Sequence, residues 1–320
     1  MISIRHLTKR FGTFCAVDDV SFEVRPGEIV AILGPNGSGK TTTLKCVAGL
    51  VSPSAGEVRV EGFDPWTQAV EAKRRLSYLP QRVAFPEMLT AREILEFYCR
   101  LRKLPLQRAA EALAHSQFNG FGDRAVREFS GGMLQRLGIE VLSLPDAPVL
   151  LLDEPTTGLD PEASLRLREF LQARRQEGKT VLLTSHLLSE VEELADRAAI
   201  LVGGRLVAVE PVASLCQRLL TACRMQIMLL NPEVRFIASA ERAGAIAAEL
   251  KGSRLIVTSR SEDRLLVLQS LETAGARIER FSTEEPSLEE VYLRYVYESS
   301  APDRLADGRM PISDASTRVH

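Results

Sequence analysis

Residues 34–42 read GPNGSGKTT, a run whose residue types and spacing suit phosphate chemistry. Gly34, Gly37 and Gly39 let the backbone turn tightly and bring its N–H groups against an anion. Lys40 adds a compact positive charge, and the Thr41 hydroxyl is a hard oxygen ligand for Mg²⁺, with Thr42 beside it. Together with Pro35, Asn36 and Ser38 they match the form G-x-x-x-x-G-K-[ST], which cradles a nucleoside triphosphate. The form carries weight only in context: an apolar strand, EIVAILG, must precede it and a helix must follow. Both conditions hold, and the helix start adds its own partial positive charge.

A second group of reactive types lies at VLLLDEP, residues 149–155. Four apolar residues read as a buried strand, and two acids stand at its C-terminal end, where ligands bind in open α/β sheets. Asp153 is expected to hold Mg²⁺ through water, because that ion keeps several waters. Glu154 is then placed to polarise an attacking water as a general base. His186 ends TVLLTSH, after another apolar strand, and suits a donor to a γ-phosphate. Phosphate transfer needs mainly positioning and charge stabilisation, which this set supplies.

Residues 129–136, FSGGMLQR, pose a problem. Ser130, Gly131 and Gly132 read as the start of a helix with bare N–H groups, another anion-binding arrangement, but without a lysine. An ordinary helix cap uses the same residues.

These groups need a scaffold. Strand-like and helical stretches alternate from EIVAILG to AAILV, which predicts a mainly parallel sheet with helices on its faces. The chain has 320 residues, 45% apolar and 26% charged, enough for two packed domains. Net charge of −2 gives no basic field for nucleic acid. The five cysteines show no C-x-x-C pair, so reduced thiols are expected. No apolar run approaches the roughly 20 residues that span a bilayer, so work at a membrane requires another chain.

The ordered set GPNGSGKTT, YLPQ, SGGM, LLLDEP, TGLD and TSH resembles the ATP-binding subunit of ABC transporters, over about residues 1–215. The resemblance implies a P-loop NTPase fold of α/β class, with ATP and Mg²⁺ bound and ATP hydrolysed. By matched position it implies that Phe11 stacks on adenine, though tyrosine is commoner there. It also implies that Gln81 contacts Mg²⁺ and the attacking water, that Asp160 links two sites in a dimer, and that His186 is the switch histidine. In the same way Ser130, Gly131 and Gly132 correspond to the signature that caps the γ-phosphate held by a second subunit, which answers the lysine-free cradle. Phe129 and Met133 depart from the commonest signature, L-S-G-G-Q. A helical subdomain at about 85–145 would carry the signature and meet a separate membrane permease, at the cytoplasmic face of the membrane.

Residues 216–298 read as a small α+β C-terminal domain of three strand-like pieces interleaved with three helical ones, and residues 299–320 as a disordered tail. The segment EPSLEEVYLRYVYE (285–298) resembles the C-terminal extension of drug-resistance, gliding-motility and copper-maturation exporter ATPases. Its tyrosines, Tyr292, Tyr295 and Tyr297, suit core packing or a docking face. The implied function is therefore the ATPase of an exporter, working as a dimer and binding no nucleic acid. The alternative is a soluble ABC ATPase acting on ribosomes or nucleic acid. Such proteins usually carry two cassettes in one chain or a long coiled coil between the phosphate loop and the signature, whereas this chain has one cassette and no room for such a coil between Thr42 and Phe129. A regulatory module that binds ATP without hydrolysing it is at odds with the presence of both Glu154 and His186.

Overall fold

The computed structural model describes residues 1–115, 121–186, 188–215 and 223–284. Its centre is a six-stranded sheet made from β3 (Ile29–Leu33), β5 (Leu76–Leu79), β6 (Val149–Asp153), β7 (Thr180–Ser185), β8 (Arg197–Val202) and β9 (Arg205–Pro211). Their order is β5-β6-β7-β3-β8-β9, parallel except for the last pair. β3 and β6 are buried at every position, as expected of parallel strands covered on both faces. One face, with Val30, Ile32, Leu151 and Leu182, packs on α1 (Lys40–Val47) and on a three-stranded antiparallel sheet. That sheet has the order β2-β1-β4, from β1 (Ile2–Phe11), β2 (Phe14–Val24) and β4 (Ala55–Val60). The other face, with Ile29, Leu33, Leu152 and Leu183, packs on α6 (Pro161–Gln176) and α7 (Leu188–Leu194). A short helix, α2 (Ala69–Arg74), leads into β5.

Between β5 and β6 lie α3 (Ala91–Arg102), α4 (Gln107–His115) and α5 (Gly131–Ser143), around a core of their own that includes Ile94, Leu95, Leu113 and Leu137. Thr90 and Glu93 start α3 as a reciprocal capping box: each side chain bonds the other's backbone N–H. The order β6-β7-β3 sets three C-terminal strand ends side by side. The glycine loop, the acid pair and His186 each follow one of them.

Residues 223–284 form β10 (Cys223–Leu229), α8 (Arg235–Arg242), β11 (Ala245–Lys251), β12 (Arg254–Ser259), α9 (Arg264–Thr273) and β13 (Ile278–Glu284). The sheet order β11-β12-β10-β13, antiparallel throughout, is a split β-α-β arrangement of ferredoxin-like topology. Phe236, fully buried, lies in its core with Ile227, Val257 and Leu271. This corrects the expectation of three strand-like pieces: a fourth strand, β11, stands in a stretch rich in helix formers, AIAAELK. Pairing with β12 overrides helix propensity there, and Gly244, at φ 98°, breaks α8 just before it. The third helical piece, with its three tyrosines, and the tail at 299–320 lie outside the described residues.

Candidate active site

The glycine loop closes because two of its positions admit no side chain. A Cβ on Gly34 would come within 2.3 Å of the Leu201 carbonyl oxygen, and one on Gly39 within 2.5 Å of that of Ala16. Gly39 also has φ 97°, which only glycine adopts cheaply. The loop is thus wedged between β8 and β2, and α1 starts at Lys40 with its N–H groups facing the loop. Ser38 Oγ is buried with no hydrogen-bond partner, a polar atom directed into the loop's own space. Pro35, Asn36 and Gly37 form the exposed outer side, and Thr42 is half-buried on α1.

Lys40 is 5% exposed, and its ammonium donates to the carbonyls of Gly34 at 2.8 Å and Pro35 at 3.1 Å. Burial pulls its pKa below the usual lysine range, while Glu154 and Asp153 pull the other way. Glu154 Oε1 lies 4.0 Å away. The two acids thus partly offset the cost of burying the ammonium.

Asp153 and Glu154 are both buried. Thr41 Oγ1 donates to Asp153 Oδ1 at 2.9 Å, which joins the hydroxyl after the lysine to the first acid of β6. Two hard oxygens so placed, one anionic, fit the donor set that Mg²⁺ prefers. Glu154 has φ 45°, uncommon for a residue with a side chain. Gln81 Nε2 donates to Glu154 Oε2 at 2.9 Å, and His186 Nδ1 lies 3.4 Å from the same oxygen. Gln81 comes from the segment after β5 and His186 from the bend after β7. The fold thus brings together Lys40, Thr41, Gln81, Asp153, Glu154 and His186.

Phe11 stands elsewhere, at the tip of the β1–β2 hairpin, paired with Phe14. Its ring is half-exposed with the Lys9 ammonium 4.9 Å from the centroid. The same hairpin carries Ala16, whose carbonyl abuts Gly39. Ser130 caps α5, its hydroxyl accepting from Met133 N at 3.3 Å, and Gly131 faces open space. Asp160 caps α6 by accepting from Ala163 N at 2.8 Å and pairs with Arg136 at 3.0 Å. That N–H and Arg136 hold its carboxyl below the usual range.

Three residues join the site that motif spacing does not point to. Thr184 Oγ1 donates to Asp153 Oδ1 at 2.7 Å. Gln135, 4% exposed, donates to the Pro155 carbonyl at 2.9 Å, just beyond the acid pair. Arg136, the next residue, holds Asp160. The signals were a hydroxyl directly after the apolar run VLL in the strand TVLLTS and two polar residues between Leu134 and Leu137. Cys46 is excluded from the chemistry, because burial pushes its thiol up to about 11.

Comparison with known proteins accords with this geometry. Residues 17–157 match the ABC transporter family. The chain is 33% identical over 307 residues to the daunorubicin resistance ATP-binding protein DrrA3 of Streptomyces coeruleorubidus, covering 91% of this chain and 94% of that one. It is 39% identical over 211 residues to the Nod factor export ATP-binding protein I of Burkholderia orbicola (strain AU 1054), covering 65% and 69%. Among solved structures, a dimeric ATP-binding cassette in a post-hydrolysis state, bound to ADP and Pi, superposes with a TM-score of 0.61 at 25% identity, over 66% of this chain and 99% of that one. Among the described residues no helix is long and apolar enough to cross a membrane. With a third of its residues shared with a resistance ATP-binding protein along nearly the whole of both chains, the chain belongs to the ATP-binding subunits of ABC transporters.

Proposed function

We propose that this chain hydrolyses ATP to energise an exporter whose membrane-spanning part is a separate permease, and that it works as a dimer at the cytoplasmic face of the membrane. Residues 1–215 are the ATPase cassette, with the helical subdomain at about 85–145, and residues 216–298 the appended domain. The observation that carries the reading is the convergence on Glu154: Gln81 Nε2 and His186 Nδ1 both address its Oε2, from two different strand ends. One carboxylate with an amide and an imidazole at its edge can hold a water in line with a terminal phosphate and take its proton.

The other roles follow from position. The loop from Gly34 to Gly39 and the α1 N–H groups hold the β- and γ-phosphates, and Lys40 turns its ammonium onto them. Phe11 offers its exposed ring to adenine. Thr41, Asp153 and Gln81 would hold Mg²⁺, which when bound neutralises charge on the phosphates and orients them. His186 donates to the γ-phosphate. Ser130, Gly131 and Gly132 cap the nucleotide of the second subunit, and Asp160 carries contact between the two sites. The drug-resistance and Nod-factor-export relatives favour export.

The test is Glu154→Gln. It keeps the shape and the Gln81 neighbour but removes the base. We expect turnover to fall by at least about 100-fold and an ATP-bound dimer to accumulate on size exclusion. Hydrolysis at the native rate would remove Glu154 from the role of base.

A further inference from the structure

Thr184 occupies a place where a hydroxyl is costly unless it is used. It is the fifth residue of β7, fully buried, and it follows Val181, Leu182 and Leu183 in a strand whose every position is buried. Valine has the same shape and suits a buried parallel strand better. The β6–β7 register pairs Thr184 directly with Asp153, so both side chains leave the α1 face of the sheet together. Thr184 Oγ1 donates to Asp153 Oδ1 at 2.7 Å and accepts from the Glu154 backbone N–H at 2.9 Å. A hydroxyl has one hydrogen. Because a lone pair is taken by the Glu154 N–H, that hydrogen is committed to the Asp153 carboxylate.

We infer that Thr184 is a positioning residue, whose single hydroxyl sets the orientation of both acids at once. Towards Asp153 it fixes the oxygen that Thr41 also addresses, at 2.9 Å. The carboxylate therefore presents one orientation to a divalent ion. Towards Glu154 it pins the N–H at the point where the chain enters its left-handed turn, φ 45°. That turn aims the Glu154 side chain at Gln81 and His186. Without the pin, the strained residue is free to relax towards ordinary backbone angles and carry its carboxylate off line. The inference rests on Asp153 and Glu154 having the roles proposed above.

Thr184→Val removes the hydroxyl at constant shape, and Thr184→Ser keeps it. The purified variants are compared in steady-state ATP hydrolysis, in Mg²⁺ titration of that hydrolysis, and in binding of trinitrophenyl-ATP with Mg²⁺ and with EDTA. Thermal unfolding is followed alongside. We expect Thr184→Val to lower kcat on the order of 10- to 100-fold with KM for ATP within about twofold, since one hydrogen bond to a charged group and one buried N–H lose their partner. The Mg²⁺ midpoint rises by about tenfold, while nucleotide affinity in EDTA stays within about twofold. Thr184→Ser restores kcat to within about threefold. A Thr184→Val enzyme with native kcat and Mg²⁺ midpoint overturns the inference, and so does a loss that Thr184→Ser fails to rescue. A lower melting temperature with native turnover per folded molecule also overturns it, because the hydroxyl is then only structural. If Thr184→Val does not fold, Thr184→Ala makes the same deletion with less crowding. Glu154→Gln run in parallel separates the two readings. If it is inactive while Thr184→Val is native, only Thr184 loses its role; if it hydrolyses ATP normally, the assignment of the acids themselves falls.

Discussion

Glycine stands at the start of both α1, capped by Gly39, and α5, opened by Gly131, and the surroundings of the two starts differ in nearly every respect. At α1 the loop is wedged against the backbones of Leu201 and Ala16, and Lys40 is buried against two acids. Thr41 is already tied to Asp153. At α5 the Ser130 hydroxyl is engaged with its own helix, Gly131 faces open space, and both are exposed. The first start is built to hold a phosphate unaided. The second offers N–H groups and a hydroxyl but no cation, which suits a phosphate that is already bound elsewhere. The difference fits the proposal above: one protomer carries a complete cradle and half of a lid, and the lid serves a nucleotide held by a second subunit.

The largest expected effect strikes the cradle. Lys40→Ala removes the only charge in the loop and leaves Asp153 and Glu154 facing the phosphates without it. Affinity for trinitrophenyl-ATP should fall by at least about 100-fold, and hydrolysis with it, because charge-assisted bonds to phosphate are the strong ones. Near-native affinity would make the two helix starts equivalent and end the contrast.

Much of this contrast was legible in the chain before any coordinates. The cradle is local: glycines, lysine and threonine sit within nine residues, so their spacing alone specifies a loop between strand and helix. The acids follow from an apolar run ending in two carboxylates. What spacing could not supply was register and packing. Thr184 reaches Asp153 only because β6 and β7 align residue for residue, and Gln135 reaches Pro155 only because α5 lies on the following loop. Strand β11 was hidden because Ala, Glu, Leu and Lys favour helices and only its neighbour β12 makes AIAAELK a strand. Phe11 was legible only through resemblance, since one exposed aromatic at a hairpin tip has many uses.

The next effect separates the two helix starts. Ser130→Arg places a bulky cation at the lid while the cradle stays intact. The single chain should bind nucleotide within about twofold of native and yet lose at least about tenfold in turnover, since the lid acts only after pairing. Mixing the two variants sharpens this further. A Lys40→Ala chain still has a good lid and a Ser130→Arg chain still has a good cradle, so a mixed dimer assembles one sound site. Hydrolysis should therefore reappear on mixing two inactive proteins. If the mixture stays inactive while mixed dimers are seen by mass, the lid does not act across protomers.

The smallest expected effect concerns what joins the two regions within one chain. α5 carries the lid at its start, and one turn later Gln135 and Arg136 grip the segment behind the acids, through the Pro155 carbonyl and Asp160. Movement of the Glu154 loop when a γ-phosphate leaves would thus pull on α5 and on the start proposed as the lid. Gln135→Leu cuts the buried half of that grip and removes the donor to the Pro155 carbonyl, while the glycine loop and Lys40 keep all their own contacts, so nucleotide affinity in the single chain should stay within about twofold. Turnover should fall about threefold to tenfold, in line with the loss of one buried hydrogen bond, and the cooperativity in ATP that the proposed dimer implies should weaken, making the rate curve less sigmoidal. A rate loss that leaves the sigmoidal shape intact would mean that Gln135 supports each site separately and that the two helix starts communicate by another route, with the exposed Arg136–Asp160 pair the next to cut.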